Sequence, residues 1–238
     1  MSIQAFIFDL DGVLTDTAEF HYRAWKRLAD ELGLPFTRSE NDSLRGISRR
    51  ESLLKLLAGR PCPEAQVQQL MERKNHYYLE FIREITPAEV LPGARELLTE
   101  IRAAGLKTAL GSASQNAREV LARLELLHLL DAVADGHSVA RQKPAPDLFL
   151  YAAEELGCPP QRCVVVEDAA AGIEAALAGG FLTIGLGPRE RVGAAQVVLP
   201  GLAGLSLQNI ISSLEIVTKQ GHQADHSLPG SPQTSSGD

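Results

Sequence analysis

Two carboxylates one residue apart, Asp9 and Asp11, are the residues whose spacing most directly suggests chemistry. They follow an apolar run over residues 3–8 that is typical of a buried strand. Side chains two positions apart on an extended chain point the same way, so the two carboxylates converge. Like charges at that distance repel each other unless a cation or a raised pKa relieves them. Because carboxylate oxygens suit a hard divalent ion, the pair predicts a magnesium site.

Two other interpretations compete with a magnesium site. Aspartate and glycine are common in turns after strands, so Asp11 and Gly12 also fit a plain turn. A calcium-binding loop counted from Asp9 fails, because Leu14 stands where glycine is needed and Phe20 where glutamate is needed. The spacing alone leaves the turn and the magnesium site open.

The composition is ordinary for a globular protein. The 238 residues are 45% hydrophobic and 22% charged, and a net charge of −7 argues against non-specific nucleic-acid binding. There is neither an apolar run of the roughly 18 residues that cross a membrane nor a basic leader followed by an apolar stretch. The three cysteines, odd in number and widely spaced, fit neither a disulfide framework nor a zinc site. We therefore expect a cytoplasmic protein and, in the absence of a long hydrophobic seam, a monomer.

The segment between the first strand and residue 91 has a helical pattern throughout. On the first helix, a stripe with a spacing of four contains Thr17, His21 and Trp25. His21 and Trp25 are either a partly buried histidine and a packing residue or members of a functional site. The predicted helices of this block span residues 18–32, 51–58 and 63–85.

A basic cluster that contains a glycine occupies residues 44–50. Its backbone N–H groups and guanidinium groups could bind a phosphate. The same segment fits a helix start, because Ser48 and Glu51 have the spacing of a capping box. Both interpretations can hold together, since helix N-termini favour anions.

From Pro92 onward, short apolar runs alternate with helical patterns. This alternation predicts right-handed crossovers and a parallel sheet covered on both faces. The predicted fold is α/β, a Rossmann-like doubly wound parallel sheet core with an inserted all-helical cap domain. Glycines at 185 and 187 do not make a dinucleotide fingerprint, because the third glycine and the following helix are missing. The predicted strands span residues 3–8, 107–111, 132–134, 163–166, 182–186 and 197–199.

The chain divides into three predicted parts. The core comprises residues 1–15 and 92–218, and the cap comprises residues 16–91. Residues 219–238 are rich in Ser, Pro, Gly, Gln and His, so we expect a flexible tail.

Polar residues stand at the carboxyl ends of the predicted strands. Ser112 follows the second strand, Lys143 lies in the loop after the third, and Glu167 and Asp168 follow the fourth. A parallel sheet brings these ends to one edge, beside the first pair of carboxylates. Such a set fits a magnesium site that handles a phosphoryl group, with Asp9 as a covalent nucleophile.

With these motifs in these positions, the chain resembles the haloacid dehalogenase superfamily of phosphotransferases over residues 1 to about 218. The inserted block resembles the helical cap of that superfamily's first subclass. Within the superfamily the chain is most similar to the β-phosphoglucomutase family. The segments that carry this similarity are residues 16–21 with Trp25, 44–49, 73–75, 112–114 and 143–147.

The resemblance implies a magnesium-dependent phosphomutase. It would interconvert β-D-glucose 1-phosphate and D-glucose 6-phosphate through an aspartyl-phosphate and β-glucose 1,6-bisphosphate. Asp9 would carry the phosphoryl group, and Asp11 would be the general acid/base. The other implied catalytic residues are Ser112, Lys143 and His21. The implied substrate-binding residues are Thr17, Trp25, Gly46, Ile47, Arg49, Lys74, Ser114 and Asn116. The implied metal ligands are Asp9, Asp11 through its backbone carbonyl, Glu167 and Asp168.

Two alternatives remain beside the mutase. A sugar-phosphate phosphatase could use the same scaffold, with water taking the phosphoryl group from Asp9. A non-catalytic phosphosugar sensor has little support, because the residues expected for catalysis, Asp9, Asp11, Lys143 and Asp168, are all present. In either enzyme the partners would be small-molecule sugar phosphates, with neither nucleic acid nor membrane.

Two positions depart from the family pattern. Gln115 stands where a basic residue often follows the second serine, which would weaken the grip on the distal phosphate. Arg45 stands where a lysine is frequent, and the two side chains are not interchangeable in geometry.

Overall fold

A six-stranded parallel sheet forms the centre of the molecule. The computed structural model describes residues 2–225, of which 217–225 are described by their backbone alone. The strands are β1 (Ala5–Phe8), β2 (Lys107–Gly111), β3 (Ala132–Ala134), β4 (Cys163–Glu167), β5 (Leu182–Leu186) and β6 (Val197–Leu199). Their order is β3-β2-β1-β4-β5-β6, and every neighbouring pair is parallel. This is the Rossmann-type order, and it confirms the predicted fold class.

Strand β1 lies in the middle of the sheet because all four of its side chains are apolar. Phe6 and Phe8 belong to the hydrophobic cluster on one face of the sheet, and Ala5 and Ile7 belong to the cluster on the other. All four residues are completely buried. A parallel sheet covered on both faces needs such a continuous apolar run, and the alternation of the strand divides it between the two cores.

The first four helices after β1 form the cap: α1 (Ala18–Glu31), α2 (Arg38–Asp42), α3 (Arg49–Leu57) and α4 (Glu64–Phe81). They enclose their own hydrophobic cluster, which includes Trp25, Leu28, Phe36 and Leu53. Helix α4 ends at Phe81 and is followed by a short 3-10 helix, so it is shorter than the predicted 63–85.

Helix α2 is absent from the sequence prediction. Its five residues are too few for a hydrophobic period. The signal that was present is the capping box, in which the Thr37 side chain accepts from the Glu40 N–H and the Glu40 side chain accepts from the Thr37 N–H.

The chain leaves and re-enters the core at adjacent points. Thr15 forms an isolated antiparallel bridge with Val90, and its hydroxyl donates to the Glu89 carbonyl at 2.8 Å. The Leu91 N–H donates to the Leu14 carbonyl at 2.9 Å. The two connections between the cap helices and the core therefore run side by side.

Helices cover both faces of the sheet. The core helices are α5 (Ala94–Ala103), α6 (Ala117–Arg123), α7 (Asp147–Leu156), α8 (Ala170–Ala178), α9 (Arg189–Val192) and α10 (Leu207–Asp225). Helices α7 and α8 pack on one face, and α5, α6 and α10 on the other. Helix α10 continues to Asp225, past the predicted start of the tail at residue 219, and the rest of that tail, residues 226–238, lies outside the described residues. Among the described helices, none has both the length and the apolar character of a membrane span.

Candidate active site

An acidic cluster lies where β1 and β4 end. Asp9 accepts a hydrogen bond from Lys143 Nζ at 2.6 Å, and the same Nζ donates to Glu167 at 2.8 Å. Asp9, Glu167 and Asp168 each place a carboxylate oxygen within 4.8 Å of the others, and all three residues are buried. Three hard oxygen ligands at this separation fit a divalent cation such as Mg²⁺.

Gly12 is both the turn and part of this cluster. Its φ of +84° lies in the region that favours glycine, and a Cβ there would lie 2.3 Å from Asp168 Oδ2. The turn and the acidic cluster are therefore compatible, because the turn lets Asp168 approach the end of β1.

Lys143 is completely buried between two carboxylates. Burial alone would lower the pKa of Lys143, but Asp9 and Glu167 outweigh it and hold that pKa above its ordinary value. A lysine held charged at this point can also stabilise the negative charge of a transferring phosphoryl group.

Glu167 already uses most of its hydrogen-bonding capacity. Its Oε2 accepts from Lys143, and its Oε1 accepts from the backbone N–H groups of Asp168 and Ala169 at 3.2 and 3.0 Å. Burial and the charge of Asp9 raise the pKa of Glu167 to about 8, against the opposing effect of Lys143. Its direct metal ligation stays a prediction, and these contacts favour a role in holding Lys143 and the Asp168 peptide.

Asp11 has the surroundings of a proton-transfer group. The Thr17 hydroxyl donates to Asp11 Oδ1, and the Asp11 N–H donates to Asp9 Oδ2 at 3.0 Å. Burial, together with the neighbouring charge of Asp9, raises the pKa of Asp11 to about 6. A carboxyl group with that pKa can both accept and return a proton near neutral pH.

The cap brings a histidine and a lysine to Asp11. His21 Nδ1 lies 2.8 Å from Lys74 Nζ, and His21 Nε2 lies 4.0 Å from Asp11 Oδ2. Burial, and then the neighbouring cations, lowers the pKa of His21 well below its usual value. A neutral ring that accepts from Lys74 at Nδ1 carries its proton on Nε2, the nitrogen that faces Asp11. Burial and the charge of Arg49 also lower the pKa of Lys74, whose amine donates in either protonation state.

A cavity of about 100 Å³ lies between the cap helices and the ends of the core strands. Most of the predicted site residues line it: Asp9, Asp11, His21, Trp25, Gly46, Ile47, Arg49, Lys74, Ser112 and Ser114. Lys143 and Asp168 lie behind this wall, in contact with the β1 end. The structure thus brings the residues of five separate segments around one space.

Two predicted substrate-binding residues lie outside the cavity wall. Thr17 is buried behind Asp11, and it also accepts a hydrogen bond from the Tyr78 hydroxyl at 3.3 Å. Asn116 donates its side-chain amide to Asn75 Oδ1 at 2.8 Å, which links the core to the cap. Direct binding of substrate by these two residues stays a prediction.

The basic cluster at 44–50 combines both of its interpretations. Ser48 caps helix α3 in a complete capping box with Glu51, and Arg49 begins the helix and lines the cavity. Arg45 reaches the core, where its Nη1 lies 3.3 Å from Asp168 Oδ2. Gly46 has a φ of +75°, and a Cβ there would lie 2.9 Å from the Ala169 Cβ.

Three polar residues of this site were not predicted from the sequence. Asn41, on helix α2, and Ser52, on α3, line the cavity. Tyr78 places its ring 4.2 Å from that of His21. Tyr78 follows Lys74 by four positions on helix α4, and this spacing was the available signal. Trp25 both packs in the cap core and lines the cavity, with Lys74 Nζ 4.8 Å from its ring.

Comparison with known proteins agrees with this geometry. The haloacid dehalogenase-like hydrolase family matches residues 3–180. A β-phosphoglucomutase of Bacillus subtilis is 40% identical over 210 residues, which are 87% of this chain and 93% of that protein. A phosphorylated carbohydrates phosphatase of Thermotoga maritima is 32% identical over 184 residues, 75% of this chain and 82% of that protein.

The chain is also similar in fold and in sequence to a solved structure. A crystal structure of β-phosphoglucomutase from Clostridium difficile is 38% identical and covers 91% of this chain and 99% of its own, with a TM-score of 0.88. The chain therefore belongs to the haloacid dehalogenase-like hydrolase family and is a homologue of the β-phosphoglucomutases.

Proposed function

We propose that the protein is a magnesium-dependent β-phosphoglucomutase that interconverts β-D-glucose 1-phosphate and D-glucose 6-phosphate. The observation that carries the proposal is the composition of the cavity wall. His21, Arg49 and Lys74 of the cap line the same space as Asp9 and Asp11 of the core. A mutase needs such a wall, because it must exclude water from the aspartyl-phosphate and hold a second phosphate.

The phosphoryl group moves on and off Asp9. In the first half-reaction, phosphorylated Asp9 gives its phosphoryl group to the 6-hydroxyl of β-glucose 1-phosphate: the bond from phosphorus to Asp9 breaks and the bond to O6 forms. In the second, the bisphosphate binds in the reverse orientation and gives its 1-phosphoryl group back to Asp9. Lys143 and Ser112 would offset charge on the transferring group. The sugar leaves as glucose 6-phosphate.

Asp11 balances the proton in this cycle. It takes the proton of the 6-hydroxyl in the first half-reaction and returns it to O1 of the leaving sugar in the second. The Nε2 proton of His21, which faces Asp11, is placed to donate a hydrogen bond to the sugar oxygen or to Asp11. Lys74 fixes the orientation of the imidazole at the other ring nitrogen.

Mg²⁺ would be held by the carboxylates of Asp9 and Asp168 and by the Asp11 backbone carbonyl. Bound there, it would offset the negative charge of the phosphoryl oxygens. Burial and the charge of Asp9 raise the pKa of Asp168 to about 7, and two arginines oppose this effect. A cation bound beside Asp168 would favour the charged form of its carboxyl group and would offset this unfavourable effect of burial.

The second phosphate would bind at the junction of cap and core. Arg49, at the start of helix α3, combines a guanidinium group with the anion-favouring end of a helix, and Ser114 lines the same cavity. Gln115 also lines this wall and supplies an amide where relatives often have a cation. We therefore expect a weaker hold on the distal phosphate than a basic side chain would give.

A sugar-phosphate phosphatase is the second candidate, because a homologue named for that activity covers three quarters of the chain. Water would then take the phosphoryl group from Asp9. Gln115 is the specific feature that favours this alternative, since a loosely held sugar phosphate would leave before the second transfer.

One incubation separates the two functions. The protein is mixed with Mg²⁺, β-glucose 1-phosphate and a trace of β-glucose 1,6-bisphosphate, and glucose 6-phosphate and inorganic phosphate are measured together. The mutase predicts glucose 6-phosphate in large excess over phosphate. Phosphate release without glucose 6-phosphate would identify a phosphatase. The monomeric state and a cytoplasmic location stay predictions.

A further inference from the structure

An arginine on the short helix that follows strand β5 contacts the proposed metal ligand Asp168. Arg191, on the short helix α9, donates from Nε to the Asp168 backbone carbonyl at 2.6 Å. Its Nη2 lies 3.5 Å from Asp168 Oδ2. One planar guanidinium group therefore contacts both the peptide and the carboxylate of the same residue. The Arg191 side chain is 39% exposed, whereas that of Asp168 is 4% exposed.

Gly187 provides the space for this contact. It follows β5 directly and has a φ of +114°, in the region that favours glycine. A Cβ at this position would lie 2.6 Å from Arg191 Nη2. The glycines at 185 and 187 do not form a dinucleotide fingerprint. Gly187 instead allows the guanidinium group to lie against the chain that leaves β5.

Arg45 and Gly12 are the other two residues close to Oδ2 of Asp168. Arg45 Nη1 lies 3.3 Å from Asp168 Oδ2, but Arg45 belongs to the cap. Gly12 approaches the carboxylate without holding it by a hydrogen bond. Arg191 differs from both, because it contacts the Asp168 backbone carbonyl as well as the side chain and belongs to the same core.

We propose that Arg191 is a positioning residue that orients Asp168 for Mg²⁺ binding, in a contact that Gly187 makes possible. The inference rests on the proposed function, since it concerns the metal site of that function. Groups that orient a metal ligand commonly change metal affinity by about 10–100-fold when they are removed. Arg191 would act before any substrate binds, so its effect can be measured on Mg²⁺ binding alone.

The sign of the effect distinguishes positioning from simple charge. A positive charge close to a cation site repels the cation, so its removal by itself should leave Mg²⁺ affinity unchanged or tighter. Loss of orientation has the opposite effect. A weaker affinity after removal of Arg191 would therefore report the lost contact with Asp168, because the charge effect cannot produce it.

The test is isothermal titration of Mg²⁺ alone into the full chain, without substrate, for four proteins. We expect Arg191→Ala to bind Mg²⁺ about 10-fold more weakly than the unaltered chain. Arg191→Lys keeps the charge but cannot make the two-point contact, so most of the loss should remain. Arg189→Ala is the matched control, because it removes the same charge from the same helix and should not weaken binding. Unfolding midpoints measured without Mg²⁺ establish that each variant is folded.

The other possible results of these titrations would contradict the proposal in different ways. Equal affinity of Arg191→Ala and the unaltered chain, or an equal loss in Arg189→Ala, would overturn the role of Arg191 while leaving the proposed function intact. Complete recovery in Arg191→Lys would show that charge suffices and would overturn the two-point contact. If the unaltered chain binds no Mg²⁺, the proposed cofactor and this inference both fail.

Discussion

At the scale of residues, the two aspartates after β1 differ in their partners. Asp9 is oriented by the ammonium group of Lys143 and by the N–H of Asp11, both within the core. The Asp11 carboxylate accepts from Thr17 and faces His21 of the cap. The contacts of Asp9 therefore suit its proposed role as the nucleophile, and those of Asp11 suit its proposed role in proton transfer.

Replacement of Asp9 by asparagine should abolish turnover without unfolding the protein. The amide keeps the size of the carboxylate, and its oxygen can still accept a hydrogen bond from Lys143, but it is not a nucleophile for phosphorus. We expect at least about a 10⁴-fold loss of activity, as for the removal of other nucleophiles. Mass spectrometry after incubation with β-glucose 1,6-bisphosphate should show phosphorylation of the unaltered chain and none of the variant. Turnover near the original rate would refute the role of Asp9.

Replacement of Thr17 by valine should shift the pH dependence of activity. Asp11, whose pKa is raised to about 6, is the proposed base of the first half-reaction, so kcat/KM should fall below about pH 6. The Thr17 hydrogen bond lowers the pKa of Asp11, so its loss raises that pKa further. A shift of one pKa unit corresponds to about 1.36 kcal/mol. The loss of a hydrogen bond to a charged group should therefore raise the pKa of Asp11 by about one unit, and the acidic limb of the pH profile should move upward by the same amount.

The control for this prediction is Thr17→Ser, which keeps the hydroxyl group and should keep the position of the limb. The measurement is the pH profile of kcat/KM for β-glucose 1-phosphate. A limb that stays in place in the valine variant would mean that Asp11 is not the titrating base.

At the scale of elements, the loop before helix α3 determines how closely the cap fits the core. Gly46 lies against Ala169, the residue after Asp168, and two methyl groups at 2.9 Å would be too close. Since Arg45, its neighbour in the loop, contacts Asp168 and Arg49 lines the cavity, displacement of this loop opens the proposed phosphate site to water.

Substitution of Gly46 by alanine should raise the share of hydrolysis over mutase turnover several-fold, because water gains access to the aspartyl-phosphate. Gly59→Ala is the matched control: its φ of +77° is similar, so the backbone strain is comparable, but a Cβ there meets open space. The ratio of inorganic phosphate to glucose 6-phosphate measures the effect. Equal ratios in the two variants would show that backbone strain, and not contact with Ala169, is responsible.

The elements also show what the sequence could and could not predict. The six strands and the residues at their ends follow from apolar runs and from the geometry of parallel sheets, so Asp9, Lys143 and Asp168 were predicted to meet. Helix α2 escaped prediction because it is shorter than two turns. Arg191 escaped because its reach to Asp168 depends on the backbone at Gly187, which no periodicity reports.

At the scale of the whole molecule, the acidic cluster costs stability when no cation is bound. Burial and the charge of Asp9 raise the pKa of Asp168 to about 7, which means that the fold disfavours its charged form at neutral pH. The folded-state pKa lies above the unfolded value, so this contribution to stability is present at low pH and is lost as the pH rises through about 7. A bound cation reverses the penalty by favouring the charged form.

Mg²⁺ should therefore stabilise the protein against heat, and Asp168→Asn should remove that response. At 100 times the dissociation constant, a ligand stabilises by about 2.7 kcal/mol, which corresponds to a rise of about 5–10 °C in Tm for a chain of this size. The variant should have an unfolding midpoint without Mg²⁺ at least as high as that of the unaltered chain, because a neutral amide replaces a disfavoured charge. Glu174→Gln, which removes an exposed carboxylate from helix α8, is the control and should keep the full response. An Asp168→Asn variant whose Tm still rises by about 5–10 °C on addition of Mg²⁺ would exclude Asp168 as a metal ligand, because the cation would then bind without the Asp168 carboxylate.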